Sequence, residues 1–163
     1  MKFVVKLFLF FLYAGLVTGL HAEKISFSID PGAITPTTDT LTWKFLNQLE
    51  YKEQDHEIYG KVYLPEFSNA IFKMAGKEII IKGYIIPVDN KNYALSKNVY
   101  AACFFCGKAG PETVIGLQFK KDPGRIKMDS HATIKGRFII NATDVENWMY
   151  LLDDVEILNI REK

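Results

Sequence analysis

The sequence has little of what marks a nucleic-acid-binding protein or a hydrolase. The formal net charge of its 163 residues is +1 at pH 7, so the chain lacks the basic footprint that nucleic acid requires. A nucleophile elbow, an H-E-x-x-H motif and a P-loop are all absent. Only two cysteines are present, whereas a closed structural zinc site needs about four ligands. These absences favour a binding role over an enzymatic one, and we expect no nucleic-acid partner.

Long hydrophobic runs are also scarce, and the one that stands out lies near the N-terminus. A positively charged start precedes the apolar run Leu7–Val17, and small residues follow up to Ala22. This layout predicts a secretory signal peptide over residues 1–22, cleaved after Ala22 or after Gly19. A retained membrane anchor is the alternative, but the run is shorter than the roughly 20 residues of a spanning helix. We therefore expect an exported protein, periplasmic or secreted, with no membrane span after cleavage.

The remainder divides into an arm and one folded domain. Turn-forming residues dominate residues 23–40, which predicts an extended N-terminal arm, and residues 41–163 form the domain. Within the domain, Leu41–Leu49 fits a helix and a strand equally well by its periodicity. The polar stretch Tyr51–Gly60 predicts a solvated loop. Pro65–Met74 places its apolar residues on one helical face, which predicts a short helix.

From Gly76 onward the pattern is that of β-strands. Ile-Lys-Gly occurs at Gly83 and again at Gly136, each time inside a β-branched run, which indicates two strands that bend in the same way. The fold class is therefore mainly β, a small five-stranded OB-like barrel with a short helical N-terminal segment. An open β-sandwich is the alternative. The predicted strands are Glu78–Pro87, Tyr93–Lys97, Thr113–Phe119, Ala132–Ile140 and Trp148–Leu158, the last being one strand or two.

Four motifs follow one another along the domain. They are Trp43–Leu46, Gly76–Glu78, Ile81–Pro87 and Cys103–Gly107, the last within a C-F-F-C-G-x-A-G-P-E-T core. As a set they resemble the bacterial exported family called domain of unknown function 3299, over residues 41–155. The resemblance implies an OB-like barrel in the cell envelope, and it implies no activity.

Both cysteines lie in the segment Ala101–Thr113, which we expect to form a loop carried by the barrel. Gly107, Gly110, Pro111 and Glu112 are the residues that we expect to shape it. A strand follows the segment, whereas a thioredoxin-like site precedes a helix in a βαβ unit. This loop is the strongest candidate for a functional site in the sequence.

Three interpretations of the pair Cys103 and Cys106 stay open. In an oxidising compartment the pair forms a structural disulfide, which in so short a loop contributes only about 2 kcal/mol. Two thiolates at this spacing also chelate a soft metal, zinc or copper, with His131 and Asp129 as further donors. The same spacing suits thiol–disulfide exchange.

The function that these patterns indicate is a non-enzymatic binding or assembly module of the cell envelope, built on the barrel and its C-x-x-C loop. The expected partners are an envelope protein or a metal ion, with zinc and copper as the candidate cofactors. No catalytic residue is predicted for this module. The alternative function is a thiol–disulfide oxidoreductase that uses Cys103 and Cys106.

Overall fold

A computed structural model of the protein describes residues 38–162, and their central feature is one β-barrel. The predicted signal peptide, residues 1–22, lies outside the described residues, as does most of the predicted arm, residues 23–40. The arm's last two residues, Asp39 and Thr40, form a short strand that pairs in parallel with the first barrel strand. Among residues 38–162, no helix is long and apolar enough to cross a membrane.

Residues 38–162 form eight strands, two short α-helices and three 3-10 turns. The ambiguous segment Leu41–Leu49 contains the first helix and the first residue of a strand. The strands are β1 (Asp39–Thr40), β2 (Leu49–His56), β3 (Gly60–Phe67), β4 (Glu78–Pro87), β5 (Tyr93–Ser96), β6 (Val114–Phe119), β7 (Ser130–Ile140) and β8 (Tyr150–Arg161). The helices are α1 (Trp43–Leu46) and α2 (Asn69–Phe72), and the 3-10 turns are Tyr100–Ala102, Phe104–Cys106 and Pro111–Thr113.

Strands β4 to β8 form a closed barrel of the OB type. Neighbouring strands follow the order β4-β5-β6-β8-β7, and β7 pairs with β4 to close the ring. The pairing of β6 with β8 is parallel, and the other pairings of the ring are antiparallel. The predicted five-stranded OB-like barrel is confirmed. The alternative of an open sandwich is wrong, because the β4–β7 pairing leaves the ring without a free edge.

Apolar side chains on alternating positions fill the barrel interior. Ile79, Ile81 and Ile85 of β4 and Ile134 and Phe138 of β7 are at most 1% exposed. Successive side chains of a strand point to opposite faces, so this alternation places one face of each strand in the core. Ile81 pairs directly with Ile134. Because the two strands are antiparallel, the Ile-Lys-Gly triplets run away from this pair in opposite directions, so that Gly83 pairs with Ala132 and Gly136 with Ile79.

Gly83 lies where β4 changes its pairing partner. Residues before it pair with β7, and from Tyr84 onward β4 also pairs with β5. A Cβ atom at position 83 would lie 2.6 Å from the Ser96 carbonyl oxygen and 3.1 Å from the Trp43 ring. The backbone and the ring leave no room for a side chain, so this close approach requires glycine. Trp43 is fixed there because its Nε1–H donates to the Lys82 carbonyl oxygen at 2.8 Å.

The predicted loop Tyr51–Gly60 is wrong, because most of it is strand β2. Every residue of β2 pairs with a residue of β3, and the two strands form a separate antiparallel hairpin. From Glu50 to Asp55 the residues of β2 are exposed on both faces. A strand exposed on both faces has no need for alternating apolar residues, so its sequence resembles that of a loop.

The predicted helix over Pro65–Met74 is shorter than expected. Pro65 belongs to β3, which pairs only with β2 in a two-stranded sheet. A strand with one free edge tolerates proline, since a missing N–H can face away from the ladder. Helix α2 begins only after Ser68, whose Oγ accepts a hydrogen bond from the Ile71 N–H at 3.4 Å.

Candidate functional site

The segment that holds both cysteines connects β5 to β6, and we call residues 97–113 the cysteine loop. Its two ends are joined, because the Lys97 N–H donates to the Thr113 carbonyl oxygen at 3.0 Å. Near its start the loop is also held from outside by Asp129, whose Oδ1 accepts a hydrogen bond from the Tyr100 N–H at 2.7 Å. Asp129 was predicted as a metal donor, and in the structure its side chain has a backbone N–H of this loop as its partner.

The two cysteines have opposite surroundings. Cys103 is fully buried, and its thiol donates to the Tyr100 carbonyl oxygen at 3.0 Å. Cys106 is exposed, and both cysteines are free thiols in the structure. The Cys106 N–H donates to the Cys103 carbonyl oxygen at 3.2 Å, which closes a turn whose end Cα atoms lie within roughly 7 Å. A disulfide needs a Cα separation of about 4.4–6.8 Å, so the backbone of this turn is compatible with one.

The four predicted metal donors do not form a metal-binding cluster. Within residues 38–162, no group of three or more His, Cys, Asp or Glu side chains is arranged to hold a metal ion. His131 instead packs edge-on against the Tyr84 ring, with 5.1 Å between ring centroids. Asp129 is engaged in the anchoring contact described above. The zinc or copper site predicted from Cys103, Cys106, His131 and Asp129 is therefore not assembled within this part of the chain.

The residues predicted to shape the cysteine loop each have a visible role. Gly107 ends the turn after Cys106 with a φ of +66°, a conformation that favours glycine. Pro111 opens the last 3-10 turn, which follows Gly110. Glu112 Oε2 accepts a hydrogen bond from the Tyr51 hydroxyl at 3.1 Å. Glu112 thereby ties the cysteine loop to the β2–β3 hairpin.

The surroundings of Tyr51, including this contact, change the pKa of its hydroxyl. Partial burial and the adjacent Glu112 carboxylate raise the pKa of Tyr51 above its ordinary value, because both disfavour the phenolate. The neutral hydroxyl is the form that donates to Glu112, so the link between hairpin and loop persists through the neutral pH range. The Tyr51 hydroxyl also lies 3.9 Å from the Met149 sulfur.

A cleft of about 240 Å³ opens beside the cysteine loop, and sequence reasoning missed it. We call it the aromatic cleft. The hairpin, the cysteine loop and the β7–β8 connection, residues 141–149, each contribute to its lining. Its aromatic side chains are Tyr51, Tyr63, Phe104 and Trp148. These residues come from distant parts of the chain, so no spacing in the sequence could have grouped them.

Trp148 forms a firm wall of the aromatic cleft because the barrel supports it. A Cβ atom at Gly116 of β6 would lie 2.6 Å from the indole ring, so the ring rests directly on the strand backbone. The Phe105 ring packs edge-on against the indole, with 6.1 Å between centroids. Phe104 and Phe105 of the C-x-x-C turn therefore have different roles. Phe105 supports the wall, and Phe104 lines the cleft.

A larger groove of about 1130 Å³ lies between the β4–β5 and β6–β7 connections. It is lined by charged side chains of both signs, among them Asp89, Lys91, Asp122 and Arg125. At its base the Tyr93 hydroxyl donates to the Gly124 carbonyl oxygen at 2.9 Å. The groove contains neither cysteine and shows no concentration of one charge sign or of aromatic rings. The aromatic cleft is therefore the better candidate for a binding site.

No family model matches the chain, and no curated protein matches it. Among solved structures, the chain is similar to the crystal structure of a DUF3299 family protein from Pseudomonas aeruginosa PAO1. The two are 15% identical with a TM-score of 0.46, and the match covers 76% of this chain and 94% of that chain. This is the family that the four sequence motifs resemble, and its name carries no activity.

Proposed function

We propose that the protein is exported and acts as a non-enzymatic binding module of the cell envelope, with the aromatic cleft as its binding face. The observation that carries the proposal is the convergence of four aromatic side chains, from three separate segments, on one cleft. Tyr51, Tyr63 and Phe104 are 40%, 66% and 39% exposed. Aromatic side chains offer large contact areas at a small loss of conformational freedom, and they are enriched where proteins bind partners.

The barrel itself directs binding to its outer surface. The inward-facing side chains of Ile81, Ile134, Phe138 and Tyr150 are at most 1% exposed. A five-stranded barrel filled in this way has no interior space for a ligand. Connections at the ends of the strands and the added hairpin are then the parts that remain for recognition, and the aromatic cleft is built from them.

The cysteine pair has a supporting role in this proposal. In the oxidising compartment that the protein reaches after export, Cys103 and Cys106 exchange with a partner protein's disulfide. They lose two protons and two electrons to form one S–S bond, and the partner is reduced to a dithiol. The new bond would close the turn that contains Phe104. A fixed turn keeps the Phe104 ring in the cleft and so reduces the ordering cost of binding.

A second candidate function, thiol–disulfide oxidoreductase, is favoured by the contrast between the two thiols. Exposed Cys106 is accessible for attack on a substrate disulfide, and buried Cys103 lies within the same turn to resolve the mixed disulfide. This function requires the pair to cycle between dithiol and disulfide. A structural disulfide stays oxidised in mild reductant, so a measured reduction potential separates the two candidates.

Measuring the intact mass of the protein purified from the oxidising compartment tests export and the disulfide together. We expect loss of the N-terminal 19 or 22 residues, a mass two protons light, and no alkylation without reductant. After full reduction, a brief alkylation of the folded protein should label Cys106 first, since Cys103 is 0% exposed. Two free thiols together with a metal that a chelator removes would contradict the disulfide and support a metal site. An uncleaved leader would contradict export by this signal.

A photoreactive residue in the aromatic cleft tests the binding face. Benzoylphenylalanine at Phe104 should capture a bound molecule in intact producing cells, seen as added mass on the purified protein. The matched control is the same residue at Phe72 of α2, which is 52% exposed and does not line the cleft. Added mass at position 104 that exceeds the mass at position 72 supports the proposal. Equal adducts at both positions would contradict it.

A further inference from the structure

We infer that the aromatic cleft binds a small organic cation of the quaternary ammonium class, an inference that rests on the proposed binding face. The side chains of Tyr51, Tyr63, Phe104 and Trp148 line one cleft. The electron-rich faces of aromatic rings attract a cation, and quaternary ammonium groups are the ligands that aromatic cages recognise best. Such a cation has no N–H donor, so it needs ring surfaces more than hydrogen-bond partners.

The charges around the cleft favour a cation. Among the described residues that line it, Asp144 is the one charged side chain, and no lysine or arginine takes part. A second carboxylate lies next to the lining, since Glu112 accepts the hydrogen bond from Tyr51. A cation is therefore attracted by rings and carboxylates together, whereas an anionic ligand would meet acidic groups without a basic partner.

The size of the cleft limits the ligand to a small group. Its volume of about 240 Å³ is below the roughly 300–1,000 Å³ of sites that hold drug-sized ligands. A trimethylammonium headgroup is compact and apolar on its outside, so it suits such a space. A nucleotide or a haem would not be enclosed. Asp144 is also held in place, because its Oδ1 accepts a hydrogen bond from the Glu146 N–H at 2.9 Å.

Three of the four rings are positioned before any ligand arrives. Trp148 rests on the backbone of Gly116, and Tyr51 is held by its hydrogen bond to Glu112. Little side-chain freedom remains to be lost at these two positions on binding. Tyr63 is held at its hydroxyl, which donates to Glu53 Oε2 at 3.0 Å. Phe104, on the cysteine loop, is the ring without such an anchor among these four.

The two tryptophans of the chain provide the measurement. Trp148 lines the cleft and Trp43 does not, so the indole N–H signals in an NMR spectrum report on the cleft and on an internal control. We expect choline to shift the Trp148 signal in a saturable way and to leave the Trp43 signal unchanged. The matched ligand is dimethylbutanol, the neutral isostere in which carbon replaces the nitrogen of choline. We expect it to bind at least about five-fold more weakly, because it lacks the cation–π attraction.

Substitutions distinguish the contribution of the aromatic rings to choline binding from that of apolar contact in general. Phe104→Leu keeps a bulky apolar side chain but removes a ring, and we expect it to weaken choline binding about three- to ten-fold. Asp144→Asn keeps the acceptor for the Glu146 N–H and removes the charge, so we expect a smaller loss that disappears at high salt. Phe72→Leu, outside the cleft, should bind choline as the native protein does.

The outcomes distinguish this inference from the proposed function. Equal affinity for choline and its isostere would overturn the inference, as would no shift at Trp148. If the photoreactive residue at position 104 still captures a ligand, the binding face stands and only its ligand class is wrong.

Cosedimentation with lipid vesicles distinguishes a lipid headgroup from a free cation as the source of the ligand. Cosedimentation with phosphatidylcholine but not phosphatidylglycerol, reversed by free choline, supports recognition of a lipid headgroup. Choline binding without cosedimentation supports a free cation.

Discussion

The barrel and the β2–β3 hairpin are both antiparallel in large part, yet they bury their side chains very differently. In β7, burial alternates along the strand from Ser130 to Phe138. In β2, every residue from Glu50 to Asp55 is exposed. In the two strands of the hairpin only Phe67, at the base, is buried, and its ring lies 5.5 Å from the Tyr150 ring. The barrel is thus stabilised by burial, and the hairpin by its backbone ladder and its base.

This contrast assigns different tasks to the two regions. A strand without buried side chains contributes little to the hydrophobic free energy of folding. The hairpin nevertheless supplies Tyr51 and Tyr63 to the aromatic cleft. Substitutions there are expected to change binding with little effect on stability, and substitutions in the barrel are expected to do the reverse. Four predictions test this division.

The largest expected effect comes from emptying the barrel core. Phe138 is 0% exposed and packs against Tyr150 with 5.5 Å between ring centroids. Phe138→Ala should lower the free energy of unfolding by about 3–5 kcal/mol, through lost burial and the cavity left behind. The matched hairpin variant is Tyr63→Ala, at a side chain 66% exposed, which should cost about 0.5 kcal/mol or less. Urea denaturation measures both, and similar losses in the two variants would contradict the division.

A smaller loss is expected where the backbone of the barrel is crowded. In Gly83→Ala, the added Cβ would lie 2.6 Å from the Ser96 carbonyl oxygen. We expect this variant to lose about 1–3 kcal/mol, because a backbone atom must move to accept the methyl group. The control is Lys82→Ala, at the exposed neighbouring position of the same strand, where no crowding arises. Equal denaturation midpoints for the two variants would show that the close approach at Gly83 is unimportant.

Tyr150 links the barrel to the N-terminal helix. Its hydroxyl is buried and donates to the Leu46 carbonyl oxygen at 2.7 Å, so Tyr150→Phe should cost about 1–2 kcal/mol by leaving that oxygen without its donor. Burial also raises the pKa of Tyr150, with smaller contributions from Tyr51 and Glu112. The unfolded chain then ionises first as pH rises past its ordinary tyrosine pKa of about 10. The stabilisation that comes from this difference in pKa is fully present below that pH and decreases as the pH rises above it.

The measurement for Tyr150 is urea denaturation between pH 8 and pH 11. The native protein should lose stability across the upper part of this range, and Tyr150→Phe should show a weaker dependence on pH. Tyr100→Phe, at an exposed position of the cysteine loop, serves as the control for general effects of removing a tyrosine. An unchanged pH dependence in Tyr150→Phe would show that this hydroxyl is not the group responsible.

The barrel was predictable from the sequence because its strands carry their own signal. Strands β4 and β7 combine β-branched residues with burial at alternating positions. Gly83 of β4 lies where that strand changes its pairing partner. Strand β2 of the hairpin lacks this signal, since its residues from Glu50 to Asp55 face water on both sides and propensity alone does not distinguish them from a loop. The segment Trp148–Leu158 was predicted as one strand or two. In the structure β8 is one strand, which continues through Asp153 and Asp154 with a φ of 53° at Asp154 and a shift of register.

The candidate site was predictable only in part, for a related reason. The cysteine loop was visible because its residues are neighbours in sequence. The aromatic cleft was not, because Tyr51 and Trp148 meet only after the hairpin and the β7–β8 connection are in place. Asp129 shows an intermediate case. The sequence predicted its side chain at the loop as a metal donor, and the structure gives that side chain the Tyr100 N–H as its partner.

The smallest expected effect is in the hairpin turn, at the exposed ion pair of Lys61 with Glu53. Lys61 and Tyr63 lower the pKa of the Glu53 carboxyl by hydrogen bonding to it, so any stabilisation by the pair is present at neutral pH and disappears as acid protonates Glu53. Solvent and salt screen such a pair, and we expect Lys61→Ala to shift Tm by less than about 2 °C. The shift should begin to decrease as pH falls past the ordinary glutamate pKa of about 4.3, and it should vanish once Glu53 is protonated in the folded protein too. Lys135→Ala gives the comparison in the barrel wall, where the partly buried Lys135 pairs with both Glu78 and Glu156. A larger Tm shift for Lys61→Ala than for Lys135→Ala would mean that surface charge, and not only the backbone ladder and the packed base, holds the hairpin together.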